Sequence, residues 1–205
     1  MARPREFSED DVLAAARDQF LTGGYAGTSV DELTTVTGLS RSSLYGAFGD
    51  KHDLFLQTLD EYRHAKTAEM RGELRGPNGT AYRRLGAHVR RFVADIAADV
   101  ERKGCLMAKS AAELAASDPD VAEKVSEMLH SMRDELRASV VDAQAEGSLD
   151  ADADPGQLAN MLLAVLRGLL ALGKGGMDPE AITGAAAQAL ALLPGRASGV
   201  ITNHG

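Results

Sequence analysis

The stretch LSRSSLYGAFGDKHDL, residues 39–54, decides how the rest of the chain is interpreted. It opens with small polar residues and one arginine, and two apolar residues, Leu44 and Phe48, follow four positions apart. That spacing predicts a helix of one to two turns with a single buried face. Because so short a helix is not stable by itself in water, it must pack against neighbours, and its polar leading end needs another explanation.

The residues just before this stretch predict a second short helix. Ser29 to Glu32 has the spacing of a capping box, and Thr28 to Asp31 is an alternative one residue earlier. Gly38 suits the backbone of a sharp turn between the two helices. The sequence therefore predicts a helix-turn-helix with helices over 29–36 and 40–47.

The polar leading end then has a purpose, because the first residues of the second helix in this motif face base edges in the major groove of DNA. Arg41 can reach a guanine or a phosphate, and the small Ser42 and Ser43 let the backbone approach closely. The helix starts near Thr28 and Lys51 offer free N–H groups that favour phosphate.

The bulk composition is that of an ordinary globular chain. It has 205 residues, of which 44% are hydrophobic and 25% charged, with a formal net charge of −8. A negative total argues against a generic nucleic-acid coat protein, although charge placement matters more. The single cysteine excludes an internal disulfide framework, and the most apolar segment, 158–173, is shorter than a membrane span and contains Arg167. We therefore expect a soluble cytoplasmic protein with no contact to a membrane.

Helical start and stop signals recur along the whole chain, and strand patterns are scarce. The predicted fold is all-α, with an N-terminal three-helix domain over 1–49, a larger helical domain over 50–194 and a disordered tail over 195–205. The predicted helices are roughly 8–22, 29–36, 40–47, 50–71, 80–101, 105–116, 119–146, 155–173 and 179–193.

Residues 23–55, GGYAGTSVDELTTVTGLSRSSLYGAFGDKHDLF, resemble the DNA-binding signature of the TetR family of bacterial transcriptional regulators. The Gly-Tyr, Thr-Ser, Gly-Leu-Ser, Leu-Tyr-x-x-Phe and Asp-Lys elements occur in order and at the family's spacing. The resemblance implies a homodimer that binds a double-stranded DNA operator and releases it when a small-molecule effector binds. It departs from the family at Gly46, where histidine is common. The implied DNA-facing residues, with Ser29 added at the same helix start, are Thr28, Ser29, Arg41, Ser42, Ser43, Tyr45 and Lys51.

The charge of residues 1–52 is unfavourable for DNA binding, with five basic against eight acidic side chains. Most of the acids lie in predicted first helical turns, where they offset the helix dipole. Arg3 and Arg5 form a predicted mobile arm. We expect affinity that depends on dimerisation and falls with added salt.

The last two predicted helices are apolar around most of their circumference and contain many small residues. This favours a four-helix dimer interface, with burial inside one chain as the alternative. The candidate interface residues are Leu162, Val165, Leu166, Leu169, Ala185 and Ala189.

An effector that is mostly apolar would enter between helix 50–71 and its partners, and would act on DNA through that helix. The candidate lining, each member of which is alternatively plain core, is Tyr62, Phe92, Ile96, Cys105, Met107, Met128, Leu129 and Met132. The histidines at 64, 88 and 130 form no close-spaced pair, so no metal site and no cofactor are predicted.

Cys105 allows a second interpretation. It follows Arg102-Lys103-Gly104 at a predicted helix start, a setting that favours the reactive thiolate, and some members of the resembled family sense electrophiles through such a cysteine. The alternative is a buried thiol that only fills space. No nucleophile-base constellation, phosphate loop or paired metal ligand predicts an enzyme, and a helical adaptor that binds protein alone is the remaining class.

Overall fold

The structure, a computed structural model, describes residues 8–195. This part of the chain is almost entirely helical, and its one β feature is an isolated bridge between Leu149 and Gly195. The all-α prediction is confirmed. The predicted arm at Arg3 and Arg5 and nearly all of the predicted tail lie outside the described residues. The nine helices of residues 8–195 are α1 (Glu9–Gly23), α2 (Val30–Thr37), α3 (Arg41–Phe48), α4 (Lys51–Leu74), α5 (Ala81–Ala98), α6 (Leu106–Glu113), α7 (Pro119–Ala145), α8 (Pro155–Lys174) and α9 (Pro179–Ala191).

Side-chain caps fix where most of these helices begin. Ser8, Ser40 and Thr80 each accept a hydrogen bond from a backbone N–H three residues on, which satisfies a donor that the helix leaves unpaired. Asp154 and Asp178 cap α8 and α9 by accepting from first-turn N–H groups, those of Gly156 and Gln157 and that of Glu180, and proline follows each aspartate. These local signals explain why the predicted helix starts lie within one residue of the observed ones.

The chain divides into two compact units, which are described separately. The described part of the first comprises residues 8–67 and 103–129, and therefore holds α1–α3, α6 and parts of α4 and α7. Its core is aromatic: Phe20 and Phe55 are fully buried and meet edge to face, with ring centroids 4.9 Å apart. Leu33 of α2 is buried as well, and so are Leu44 and Phe48 of α3, which form the apolar face that their spacing predicted.

The second unit comprises residues 68–102 and 130–205, and its described part packs α5, α8 and α9 against one another. The hydrophobic cluster of its core contains no buried aromatic side chain among the described residues and includes Leu85, Leu136 and Leu162. Glu135 is a buried carboxylate in this unit, and Arg71 and Arg75 neutralise it at 2.7 and 3.1 Å. Pairing of this kind is what makes burial of a charge tolerable.

The two units do not follow the predicted boundary between residues 49 and 50. Part of the reason is α6, which packs on α1 although about 90 residues separate them in sequence. The other part is α4 and α7, which are long enough to contribute residues to both units. Helix caps and hydrophobic periodicity report only local structure. They therefore could not predict that α6 packs on α1 or that α4 and α7 contribute to both units.

Helix α8 is 20 residues long, longer than the predicted apolar segment, and by length and composition alone it could cross a membrane. Its buried residues Leu162, Leu166 and Leu169 belong to the core of the second unit. The core helix of a soluble protein passes the same test, and packing accounts for the apolar character of this buried side of α8.

Candidate nucleic-acid interface

A capping box and a left-handed turn residue hold the helix-turn-helix in place. Ser29 donates its backbone N–H to the Glu32 carboxylate at 2.6 Å, and the Ser29 hydroxyl accepts from the Glu32 N–H at 3.2 Å. The Ser29 backbone N–H, and after it the Ser29 hydroxyl that donates to the same carboxylate at 2.8 Å, lower the pKa of Glu32 below its ordinary value, so the box is formed at neutral pH. Gly38 closes α2 with φ 70° and ψ 9°, a conformation that glycine adopts without a steric penalty.

Helix α3 turns its polar side to solvent. Arg41, Ser42 and Ser43 are exposed, and Tyr45 retains 40% of its surface, whereas Leu44 and Phe48 lie in the core. The Ser40 hydroxyl accepts from the Ser43 N–H at 3.1 Å and holds the first turn in shape. A rigid helix with an exposed polar N-terminal end has the geometry of a major-groove reader.

Arg41 already forms an ion pair on this surface, because its guanidinium group lies 3.0 Å from the Asp31 carboxylate. Both side chains are more than half exposed, so the pair contributes at most about 1 kcal/mol and can be exchanged for a DNA contact. Asp31 nevertheless places a negative charge beside the residue best suited to reach DNA.

Replacing Asp31 by asparagine is therefore expected to tighten DNA binding roughly threefold per protomer, because it releases Arg41 and removes a repulsive charge. Fluorescence anisotropy at fixed ionic strength measures the change. Asp18→Asn is the matched control, since Asp18 is an exposed carboxylate on α1 that also pairs with an arginine, Arg17. Equal gains from both variants would assign the effect to net charge and not to the pair with Arg41.

The structure corrects the expected role of Thr28. Its side chain is 1% exposed, and its hydroxyl donates to the Gly24 carbonyl at 2.7 Å, so it stabilises the turn before α2 and is not available to phosphate.

Lys51 is half-buried: its ammonium group donates to the Tyr25 carbonyl at 2.6 Å and lies 4.3 Å from the centre of the Tyr25 ring. Burial raises the pKa of Tyr25 above its ordinary value, which keeps its phenol neutral.

Two charged residues of α6 form hydrogen bonds to the backbone at the end of α1 and in the turn before α2. The sequence did not predict these contacts. The Glu113 carboxylate accepts from the backbone N–H groups of Tyr25 and Ala26 at 3.1 and 2.7 Å. Lys109 donates to the carbonyls of Leu21 and Thr22 at 3.0 and 2.9 Å. The Lys109 bonds satisfy carbonyls that the end of α1 leaves unpaired, and the Glu113 bonds satisfy N–H groups of the following turn, so α6 fixes the segment that leads into α2.

His52, Asp118 and Asp120 bring their ligand atoms within 4.8 Å of one another, a group that the sequence did not suggest. The Asp118 carboxylate caps α7 by accepting from the N–H groups of Asp120 and Val121, and it also bonds His52 Nε2 at 2.8 Å. The pKa of Asp118 is lowered, chiefly by the Val121 N–H and further by His52. Both of its oxygens are thus already in use, which favours a structural bond between α4 and α7.

The residues predicted to line an effector site are divided between the two units. Tyr62, Cys105, Met107, Met128 and Leu129 belong to the first, and Phe92, Ile96 and Met132 to the second. Within the first unit the Tyr62 hydroxyl donates to Cys105 Sγ at 3.4 Å, and both residues are buried.

The second unit contains a cavity of about 280 Å³ at the end of α5 and the start of α9. Of the predicted lining residues, Ile96 alone borders it. Arg102 has a left-handed backbone with φ 52°, and its guanidinium lies where a Cβ on Gly176 would come within 2.7 Å. Sequence periodicity could not have located this cavity, because loop residues form much of its wall. Its other lining residues are Val93, Ala97, Asp99, Val100, Gly173, Met177, Asp178, Pro179 and Ile182.

The predicted dimer residues need a correction. Leu162, Leu166 and Leu169 are at most 4% exposed and belong to the core of a single chain, so they cannot also face a partner. A helix that is apolar all round gives no sign of which side points inward, and the alternative of burial within one chain holds for these three. Val165 and Ala189 are half-buried, and Ala185 is exposed. The exposed side of α8 consists of Met161, Ala164, Gly168, Ala171 and Leu172, and that of α9 includes Ala181, Gly184, Ala185, Gln188 and Leu192.

Comparison with known proteins gives two family matches and several full-length relatives. Residues 12–58 match the profile described as bacterial regulatory proteins, tetR family, and residues 81–189 match the tetracyclin repressor-like C-terminal domain. An uncharacterised HTH-type transcriptional regulator of Bacillus subtilis, YezE, is 31% identical over 79% of this chain and 84% of its own. The HTH-type transcriptional repressor ComR of Escherichia coli is 25% identical over 94% of this chain and 91% of its own.

Solved structures agree with these matches. A cysteine mutant of the TetR family transcriptional regulator CifR, in complex with 26-base-pair operator DNA, is 30% identical, covers 94% of this chain and 100% of its own, and has a TM-score of 0.79. Reduced NemR of Escherichia coli, at 20% identity, covers 92% of this chain and 97% of its own, and shares the fold with a TM-score of 0.84. The chain therefore belongs to the TetR family of bacterial regulatory proteins and is a helix-turn-helix, DNA-binding transcriptional regulator.

Proposed function

We propose that the protein is a homodimeric repressor that occupies its operator through α3 of each protomer and leaves it when a small, mostly apolar molecule binds the C-terminal domain. The observation that carries this proposal is the exposed polar end of α3 on a helix-turn-helix held by a capping box and by α6. Its site of action is the bacterial cytoplasm, where the chromosome lies.

A gel-shift with the DNA upstream of the protein's own gene tests this proposal. The repressor account predicts a discrete, salt-sensitive complex that Arg41→Ala weakens while leaving the helical content unchanged. A helical adaptor that binds protein alone predicts no complex with that DNA at any salt concentration.

The cavity of the second unit is the proposed effector site. Its floor is apolar, with Val93 and Ile182 in the core, and its volume suits a compact ligand. To release DNA, the effector must bind the arrangement that cannot hold the operator more tightly than the one that can. The shift in affinity then equals that difference.

Ala97→Phe is expected to fill this cavity and weaken the response to effector by about tenfold or more, while operator binding without effector is retained. Ala97 borders the cavity and is exposed, so the larger ring enters open space without displacing the core. Ala98→Phe is the matched control, because Ala98 is also exposed on α5 but does not border the cavity. The fluorescence anisotropy of labelled upstream DNA measures how much protein the effector releases from that DNA. An unaltered response in Ala97→Phe would place the effector elsewhere.

A second candidate is a repressor that senses electrophiles or oxidants through Cys105. The observation that favours it is the position of the thiol, at the N-cap of α6 and accepting a hydrogen bond from Tyr62, directly before the helix that grips the α1–α2 segment. A modified sulfur in this buried site would displace packed neighbours. Sensing predicts that iodoacetamide weakens operator binding and that Cys105→Ser abolishes that response. A buried filler predicts slow alkylation and no change in regulation, which is the outcome that we favour.

A further inference from the structure

A second concave surface of the C-terminal unit has a different chemistry from the apolar cavity. It is an open groove of about 530 Å³ between the end of α4, the loop 75–80 and one side of α5. Along α5 the groove is bordered by Arg83, Ala87 and Arg91, which are four residues apart and so share one helical face. The opposite wall contains Gly72, Gly76 and Gly79, which leave the backbone uncovered.

The groove carries an excess of positive charge in a chain that is acidic overall. Three guanidinium groups, those of Arg83, Arg84 and Arg91, line it with one carboxylate, that of Glu73, and a second carboxylate outside the lining, that of Glu69, pairs with Arg91. Glu73 is already engaged, because it bonds both His88, at 2.6 Å, and Arg91. This leaves Arg83 and Arg84 without a carboxylate partner among residues 8–195.

Arg84 is fixed in place while its charge remains available. Its Nε donates to the Leu74 carbonyl at 2.8 Å, and its Nη1 donates to the Gly79 carbonyl at 2.6 Å. These bonds tie the loop to α5 and satisfy a carbonyl at the end of α4 without neutralising the guanidinium. Arg83 lies next to the same loop, since a Cβ on Gly79 would come within 3.6 Å of Arg83 Cδ. Gly79 has φ 76°, a backbone that other residues rarely adopt.

We propose that this groove binds the phosphoryl group of a small metabolite. Guanidinium groups match phosphate oxygens in a planar, two-pronged geometry, and they are the strongest side-chain donors to such groups. In residues 8–195 the backbone N–H groups of Gly76, Asn78 and Gly79 donate to no protein acceptor, so they can add further bonds to the same oxygens. Glu73 stays paired with His88 and Arg91, so it repels an incoming anion less than a lone carboxylate does.

Isothermal titration calorimetry with pyrophosphate as the probe, at low ionic strength, tests this proposal on the full-length protein. Arg83→Gln is expected to weaken binding about tenfold, the effect of losing one charge-assisted contact. Arg90→Gln is the matched control, because Arg90 is exposed on α5 and does not line the groove, and its affinity should stay within about twofold of the parent. Equal losses in both variants would mean that the probe responds to net charge alone, and would overturn the proposal.

A second pair of variants changes the opposite wall without touching an arginine. A Cβ on Gly72 would meet open space, so Gly72→Asp folds normally and places a carboxylate at the groove, which should abolish pyrophosphate binding. Gly72→Ala should retain it. Loss in both, or in neither, contradicts the proposal. If pyrophosphate does not bind the parent while Arg83→Gln weakens binding to duplex DNA of unrelated sequence, the groove serves nucleic acid instead, and the proposal is equally overturned.

Discussion

Gly168→Arg is expected to yield a folded monomer that no longer holds its operator, whereas Leu169→Arg, one residue further along α8, is expected to unfold the C-terminal unit. Gly168 is exposed, and a Cβ added there meets no atom within 4 Å beyond the neighbouring backbone of its own helix. In the proposed dimer its charge would fall in a stripe of small residues with no counter-ion. Leu169 is 4% exposed in the core, where an unpaired arginine costs more than about 3 kcal/mol.

Sedimentation velocity and thermal unfolding separate these two outcomes. Ala94→Arg is the control, because it adds the same charge to an exposed position of α5 and should leave both assembly and stability unchanged. A Gly168→Arg protein that sediments as a dimer would remove the exposed side of α8 from the interface. A Leu169→Arg protein that is monomeric but stably folded would instead place Leu169 in the interface and contradict its burial in the core of a single chain.

Arg41→Ala is expected to cost about 1–3 kcal/mol of operator affinity per protomer and to relax the preference for one base, if Arg41 reads a base edge. Because a dimer uses two copies of α3, the total loss doubles. Lys51→Ala is expected to weaken binding to all sequences alike, since a phosphate contact positions the protein without specifying sequence. It carries a structural cost as well, because Lys51 also donates to the Tyr25 carbonyl.

Affinities measured over a panel of single-base operator variants distinguish these effects, and circular dichroism checks that each variant is folded. Tyr45→Phe serves as a milder companion, because it removes one exposed hydroxyl and leaves the ring in place. A uniform loss across the panel for Arg41→Ala would assign Arg41 to phosphate. A change of base preference for Lys51→Ala would contradict its positioning role.

The sequence predicted the helices well because their signals are local. The caps at Ser29, Ser40, Asp154 and Asp178 lie within a few residues of the donors that they satisfy, so they can be found without knowing the fold. The DNA-facing residues of α3 followed from the same logic. An exposed polar helix start after a turn has few other uses, and the exposure of Arg41 and Tyr45 agrees with this interpretation.

What failed depended on contacts between distant parts of the chain. The burial of Thr28 and the bonds from Glu113 to the α1–α2 segment arise from packing across as many as 88 residues. Helix α8 is apolar around most of its circumference, so periodicity could not separate the buried Leu166 from the exposed Gly168. The effector residues stay a prediction: they were chosen for softness and apolarity, which core and cavity share, and Ile96 is the one among them that borders the cavity of about 280 Å³.

The most direct test of the account is selection of binding sites from random duplex DNA, performed in parallel with the parent protein and with Arg41→Ala. A homodimer that reads DNA through α3 predicts an enriched palindrome whose half-sites are centred about one helical turn, roughly 34–36 Å, or a multiple of it apart. Arg41→Ala should keep the spacing and lose the preference at one symmetric pair of positions. No enrichment, an enriched site without two-fold symmetry, or the same motif from both proteins would contradict the claim that paired α3 helices recognise the operator.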